Sequence, residues 1–210
     1  MQQPVSTRES IIVPLQAAGL SLVQPDAMQS RRLAGPWPQL NHFLEGGLPF
    51  KSLCEWGVPR GRGGREVILS FLRSPDAGPA LWVHSDAGQR VYAPAWEARG
   101  IDLQRIRFAT SSKPVEELKP VFMEDLFRTI ILDCPPRLTP GDLAFLEQRA
   151  RRQNQIIMLL QDYFLTPRLG NARTRLRLNA WQDGPSGRCT VRVIRGLSPR
   201  QMHFHPGEHR

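Results

Sequence analysis

From residue 52 onward the chain alternates short apolar runs with segments of helical spacing. Residues 52–58 form a strand-like run. Residues 65–73 read as a helix in which Val67, Ile68, Phe71 and Leu72 share a face. Residues 80–85 read as a strand, 93–99 as a short helix stopped by Gly100, and 105–110 as a strand with Ile106 and Phe108 on one side. A helix over 115–127, bent at Pro120, leads to the apolar run 129–134, of the kind buried on both faces of a sheet. Residues 139–153 form the clearest helix: Thr139 at the N-cap, Pro140 at the first position and Asp142 at capping-box spacing precede an apolar face of Leu143, Leu146 and Ala150. A second buried strand follows over 155–161. Strands alternating with helices predict an α/β fold, with a mostly parallel sheet flanked by helices.

Beyond Tyr163 the period shortens to two. Residues 173–181 and 189–195 alternate across the turn-rich link 182–187, which predicts an antiparallel hairpin at the sheet edge. The pattern divides the chain into an N-terminal arm or helix over 1–35, a core over 36–165, a basic hairpin over 166–196 and a mobile tail over 197–210.

Composition adds limits. The 210 residues are 40% hydrophobic and 22% charged, ordinary for a globular chain. No apolar run reaches the ~20 residues of a membrane-spanning helix, and the apolar segment 11–23 is interrupted by Pro14 and Gln16. The expected location is cytoplasmic, with no membrane partner. Cys54, Cys134 and Cys189 are odd in number and widely spaced, which suits free thiols and no zinc knuckle. Net charge is +9 and is concentrated at the carboxyl end, where nine arginines from Arg168 onward face only Asp183 and Glu208. Arginine is preferred to lysine, as suits planar recognition of phosphate or carboxylate, although a GC-rich genome gives the same bias. The basic hairpin, with Arg173, Arg175, Arg177, Arg188, Arg192 and Arg195, is the candidate surface for a protein partner or DNA. Trp181 and Phe204, interleaved with these arginines, suit stacking on single-stranded bases; a solvated face or a dock for an acidic partner explains them equally. Trp56 and Trp82 fall in strands and belong to the core, whereas Trp37 and Trp181 suit either core or interface. His203, His205 and His209 have a spacing that can ligate a transition metal, but their place in a tail with Pro206 and Gly207 argues against a metal site.

The segment from Trp37 to Glu66 resembles the segment leading into the phosphate loop of RecA-family ATPases. Leu40, Phe43 and Leu44 precede Gly46-Gly47-Leu48-Pro49, and Leu53 to Trp56 supplies the strand before the loop. Leu81 to Asp86, Ile130 to Asp133 and Gln155 to Gln161 then fall in the order of that family's later strands, with Asp133 ending the Walker B-like run. Trp82, Tyr92-Ala93-Pro94 and Gly100-Ile101-Asp102-Leu103, with the arginine-rich end, resemble the ImuA/SulA branch more closely. The resemblance implies a RecA-like, P-loop NTPase-type sheet. It also implies an accessory role in error-prone translesion synthesis during the bacterial DNA-damage response. The implied partners are an inactive Y-family polymerase-like protein and a C-family polymerase, with RecA or single-stranded DNA as further candidates and self-association through residues 1–35 left open. The alternatives are a SulA-type division inhibitor binding FtsZ, and a divergent DNA-dependent ATPase.

A working phosphate loop reads G-x-x-x-x-G-K-[ST], in which backbone N–H groups surround the phosphates, the lysine neutralises them and the hydroxyl holds magnesium. Here Gly57, Gly61, Gly64 and Arg65 stand in that segment, with one residue too many, arginine for lysine and Glu66 for the hydroxyl. Glu66 would repel a triphosphate unless a metal bridged them. With Asp133 these residues make a vestigial nucleotide site. Asp86 stands where the water-activating glutamate of RecA-type enzymes sits. Catalysis and a resident cofactor are not expected, ATP binding without turnover is a lesser alternative, and arginines 60, 62 and 65 offer the loop a phosphate-backbone role.

Overall fold

The computed structural model describes residues 31–85 and 91–206. The chain enters through β1 (Arg32–Leu33) and α1 (Pro38–Phe43), and then β2 (Leu48–Pro49) pairs antiparallel with β1. Between α1 and β2 the backbone passes through positive φ at Glu45, Gly46 and Gly47. A Cβ on Gly47 would stand 2.2 Å from the Leu33 carbonyl oxygen, so glycine is required there.

The strand β3 (Ser52–Gly57) leads to α2 (Arg65–Phe71), followed by β4 (Ala80–His84), α3 (Ala93–Glu97) and β5 (Ile106–Thr110). Two short helices, α4 (Pro114–Glu117) and α5 (Lys119–Met123), replace the single bent helix expected over 115–127; Pro120, lacking an N–H, sits in the first turn of the second. Then come β6 (Thr129–Asp133), α6 (Pro140–Arg152) and β7 (Ile156–Gln161). The N-terminus of α6 carries the full Thr139/Asp142 capping box. The chain finishes with β8 (Leu176–Asp183), β9 (Arg188–Arg195) and β10 (Gln201–Phe204).

Among the described residues, the main sheet has eight strands in the order β10-β9-β8-β3-β7-β6-β4-β5. The six from β8 to β5 are parallel, and β8, β9 and β10 are antiparallel. Alternation along the strands sorts side chains into two cores. Trp56, Trp82, Ile131, Met158 and Leu178 pack with α1, α2 and α3 on one face. Leu53, Leu81, Ile130, Leu132 and Leu159 pack with α4, α5 and α6 on the other. Trp56 and Trp82 are fully buried, as expected.

Two expectations about the carboxyl end change. Residues 201–204 are a strand, where a mobile tail over 197–210 was expected: Phe204 is buried and stacks on Trp37 with ring centroids 4.9 Å apart. That contact makes both rings core, so neither Trp37 nor Phe204 is free to meet a partner. The strand expected from residue 173 begins instead at Leu176. Of the arm expected over 1–35, residues 1–30 lie outside the described residues, as do Asp86, His209 and Arg210; its end carries β1. Among the described residues, no helix is long and apolar enough to cross a membrane.

Candidate functional site

The loop between β3 and α2 meets the ends of β6 and β7 at the carboxyl edge of the parallel strands, where open α/β sheets bind ligands. Arg65 opens α2 and turns its guanidinium onto Asp133, the last residue of β6. Nε donates to both carboxylate oxygens at 3.1 Å, and Nη2 donates to Oδ1 at 2.7 Å. The same group donates to Cys134 Sγ at 3.0 Å and to the Val58 carbonyl oxygen at 3.3 Å. One side chain thus links the start of the glycine-rich loop to the end of the Walker B-like strand. Burial alone would lower the pKa of Arg65, but the hydrogen bonds and charge of Asp133, with help from Cys134, outweigh it and raise it. Cys134 leaves β6 in the left-handed region, at φ 51°, which carries Sγ toward Arg65. Burial, together with the neighbouring carboxylate, pushes its thiol up to about 12.

The glycines of the loop are demanded by the protein's own packing. A Cβ at Gly57 would lie 2.1 Å from Asn179 Oδ1 and 2.7 Å from the Tyr163 carbonyl oxygen. At Gly64 it would lie 2.0 Å from the Ala180 carbonyl oxygen, and at Gly63, with φ +65°, 2.4 Å from Gln182 Oε1. The loop is pressed onto β8, where the Gln182 N–H donates to the Arg62 carbonyl oxygen at 2.6 Å. Gly61, at φ +70°, faces open space. Glu66 does not point at the loop's interior: its carboxylate pairs with Arg99 at 2.7 Å. Arg60 pairs with Asp162 at 3.2 Å.

Beside the clasp of Arg65 and Asp133 lies an open cleft of about 1100 Å³. Arg60, Arg137, Arg168 and Arg173 line it, with Asp162 as the acid among them. Arg137 and Arg168, which the sequence did not single out, carry no side-chain partner among the described residues.

One wall of the cleft is the segment 168–173, held in place by a buried carboxylate. Glu55, in the middle of β3, is wholly buried. It accepts from the Asn171 N–H at 2.7 Å, Asn171 Nδ2 at 2.5 Å, Gln161 Nε2 at 3.1 Å and Thr174 Oγ1 at 3.3 Å, and it pairs with Arg177 at 3.6 Å. Asn179 adds a two-way backbone mimic to Leu165, accepting its N–H at 2.8 Å and donating to its carbonyl at 2.9 Å. The sequence offered a signal for Glu55: a lone carboxylate inside a strand otherwise buried on both faces needs internal donors.

The six hairpin arginines do not form one surface. Arg177 is 4% exposed and engaged by Glu55, Thr174 and the Asn171 carbonyl, so it leaves the candidate interface. Arg173 and Arg175 precede β8 and are exposed, Arg173 lying 3.7 Å from Glu147. Arg188 pairs with Asp183 at 3.1 Å, and Arg195 donates to the Ala172 carbonyl at 2.9 Å. Arg192 lies over Trp181, 5.4 Å from the ring centroid. Among the described residues no group of three or more His, Cys, Asp or Glu side chains could hold a metal, and His203 instead contacts Thr190 Oγ1 at 2.8 Å.

No family model matches the chain, and no curated protein matches it. Among solved structures, the crystal structure of the RadB recombinase matches with a TM-score of 0.65 at 15% identity, covering 82% of this chain and 95% of that one. The fold is RecA-like: a mostly parallel sheet with flanking helices and antiparallel strands at the carboxyl end.

Proposed function

We propose that this RecA-like chain is a non-catalytic accessory protein of the bacterial DNA-damage response. It acts in error-prone translesion synthesis by contacts with an inactive Y-family polymerase-like protein and a C-family polymerase. The sequence resemblance to the ImuA/SulA branch supports the setting. The clasp between Arg65 and Asp133 carries the non-catalytic part. In a working site the cation beside the Walker B aspartate is magnesium, and the group beside the loop is a phosphate. Here the guanidinium satisfies the aspartate and caps the Val58 carbonyl, so a nucleotide must first break that clasp. Parting a partly buried ion pair costs about 3 kcal/mol, a roughly hundredfold weakening of affinity.

Co-purification tests the role. The chain, co-expressed with the polymerase-like partner and the C-family polymerase, is expected to emerge in a complex. ATP turnover is expected to be absent with and without single-stranded DNA, and Asp133→Ala to leave that background unchanged. Turnover that depends on Asp133 would make the chain a divergent ATPase. Binding to FtsZ without binding the polymerase-like protein would make it a division inhibitor.

A further inference from the structure

The open cleft beside the clasp of Arg65 and Asp133 does not end at its own rim. Pro136, Arg137 and Leu138 form a ridge shared with a second hollow of about 210 Å³, which Lys113, Pro114 and Val115 help to line. The two make one groove past the carboxyl end of β6, from the segment 168–173 to the start of α4. Its walls are largely aliphatic and its net charge is positive. We propose that this groove docks an extended acidic segment of a protein partner, seating an aliphatic side chain against Leu169 and carboxylates on Arg137 and Arg168. This docking is independent of the translesion role and of its polymerase partners.

Three observations converge on that partner. Leu169 is 48% exposed although it is a large apolar residue. It is held in the open: its N–H donates to Thr166 Oγ1 at 2.9 Å, its carbonyl accepts the Thr166 N–H at 3.1 Å, and Asn171, two residues on, is pinned by the buried Glu55. A leucine so fixed, in a cleft also lined by Pro135, Pro136 and Leu138, marks an apolar contact surface. Second, the groove keeps positive charge unanswered. Arg60 pairs with Asp162, Arg173 lies by Glu147 and Lys113 pairs with Glu116 at 3.3 Å, whereas Arg137 and Arg168 are exposed and have no side-chain partner among the described residues. Guanidinium forks of this kind suit carboxylates. Third, the setting disfavours a nucleic-acid strand. A phosphate at every nucleotide would pass the carboxylates of Asp162, Asp142 and Glu116 along the same path. Among the described lining residues Tyr163 is the only aromatic ring, so successive bases find no platform to stack on. A peptide can place its charges where the arginines are and an aliphatic side chain where the leucine is.

The test uses the full chain alone, so a missing peptide contact and a missing polymerase complex are separate results. Fluorescence anisotropy with a labelled peptide in which aspartate alternates with leucine is expected to show binding that weakens with salt. Serine in place of each leucine of the peptide should weaken it roughly tenfold, as for loss of a buried leucine. Leu169→Ser should weaken it about fivefold. Arg137→Ala and Arg168→Ala should each weaken it about threefold, within the range of an exposed charge pair. Thermal unfolding of these variants should match the wild type, since the two arginines have no side-chain partner among the described residues and Leu169 is half exposed. Arg152→Ala, at the far end of α6, controls for general charge and should change affinity less than about twofold. The proposal fails if the peptide does not bind, if the serine peptide binds as tightly, or if Leu169→Ser and Arg168→Ala bind like the wild type. Oligothymidylate displacing the peptide at equal charge would also overturn it and assign the groove to nucleic acid. A dimer in sedimentation that the peptide splits would overturn it too and assign the groove to a second copy of the chain.

Discussion

Asp133 is 6% exposed, and the three groups around Arg65, the Asp133 carboxylate, the Cys134 thiol and the Val58 carbonyl, answer its charge within the protein. Asp133→Ala would leave that guanidinium partly buried without its carboxylate, and a loss of about 2–3 kcal/mol in urea unfolding is expected, below the full cost for a wholly buried pair. A second carboxylate sets a pH dependence. Asp183 has its pKa held below the ordinary value, chiefly by the Thr190 hydroxyl, against partial burial, with Trp181 and Arg188 adding to the lowering. A depressed native pKa means stability present above the unfolded value and lost as pH falls through the native one. Wild type should therefore unfold at a higher temperature than Asp183→Asn at neutral pH, and the difference should vanish under acid. A gap that persists at low pH would assign the effect to shape instead of charge.

The element that depends most on its setting is the segment 162–175. It has no regular structure of its own and is held by Glu55 and Asn179 from the strands beneath it. Glu55→Gln would leave Arg177 buried without a counter-ion, at a cost of about 3–5 kcal/mol. Limited trypsin digestion should then cut after Arg168 or Arg173 well before the wild type is cut. The glycine-rich loop makes the opposite demand, for absence of bulk. Gly64→Ala places a Cβ against a β8 carbonyl that the sheet ladder holds in place, so loss of more than about 3 kcal/mol or failure to accumulate folded protein is expected. Gly61→Ala meets only its own positive φ, so about 1 kcal/mol is expected. Comparing the two by thermal unfolding separates packing from backbone strain.

At the scale of the whole molecule, the carboxyl end completes the core begun near residue 33. Phe204 packs on Trp37 near α1, and Trp37 Nε1 donates to the Pro206 carbonyl at 3.4 Å. Phe204→Ala should cost about 3 kcal/mol, seen as a fall in the urea midpoint with unchanged slope. Net charge of +9 adds a field without fixing where a partner sits. The arginines divide instead between internal clasps at Arg65 and Arg177 and outward groups at Arg62, Arg137, Arg168 and Arg192.

By itself the sequence determined the alternation of strands and helices, the capping box at Thr139, the burial of Trp56 and Trp82 and the RecA-like class, because periodicity and caps act over a few residues. It also located the segment at Gly57, Gly61, Gly64, Arg65 and Asp133. Only the tertiary structure decided what those residues do. That Gly57 and Gly64 answer to β8, that Arg65 is claimed by Asp133, and that Arg177 belongs to Glu55 all depend on partners more than fifty residues apart. Charge and residue type announce that a side chain needs a partner. Which one it finds is set by the order of strands in the sheet, and that order is not a local property of the chain.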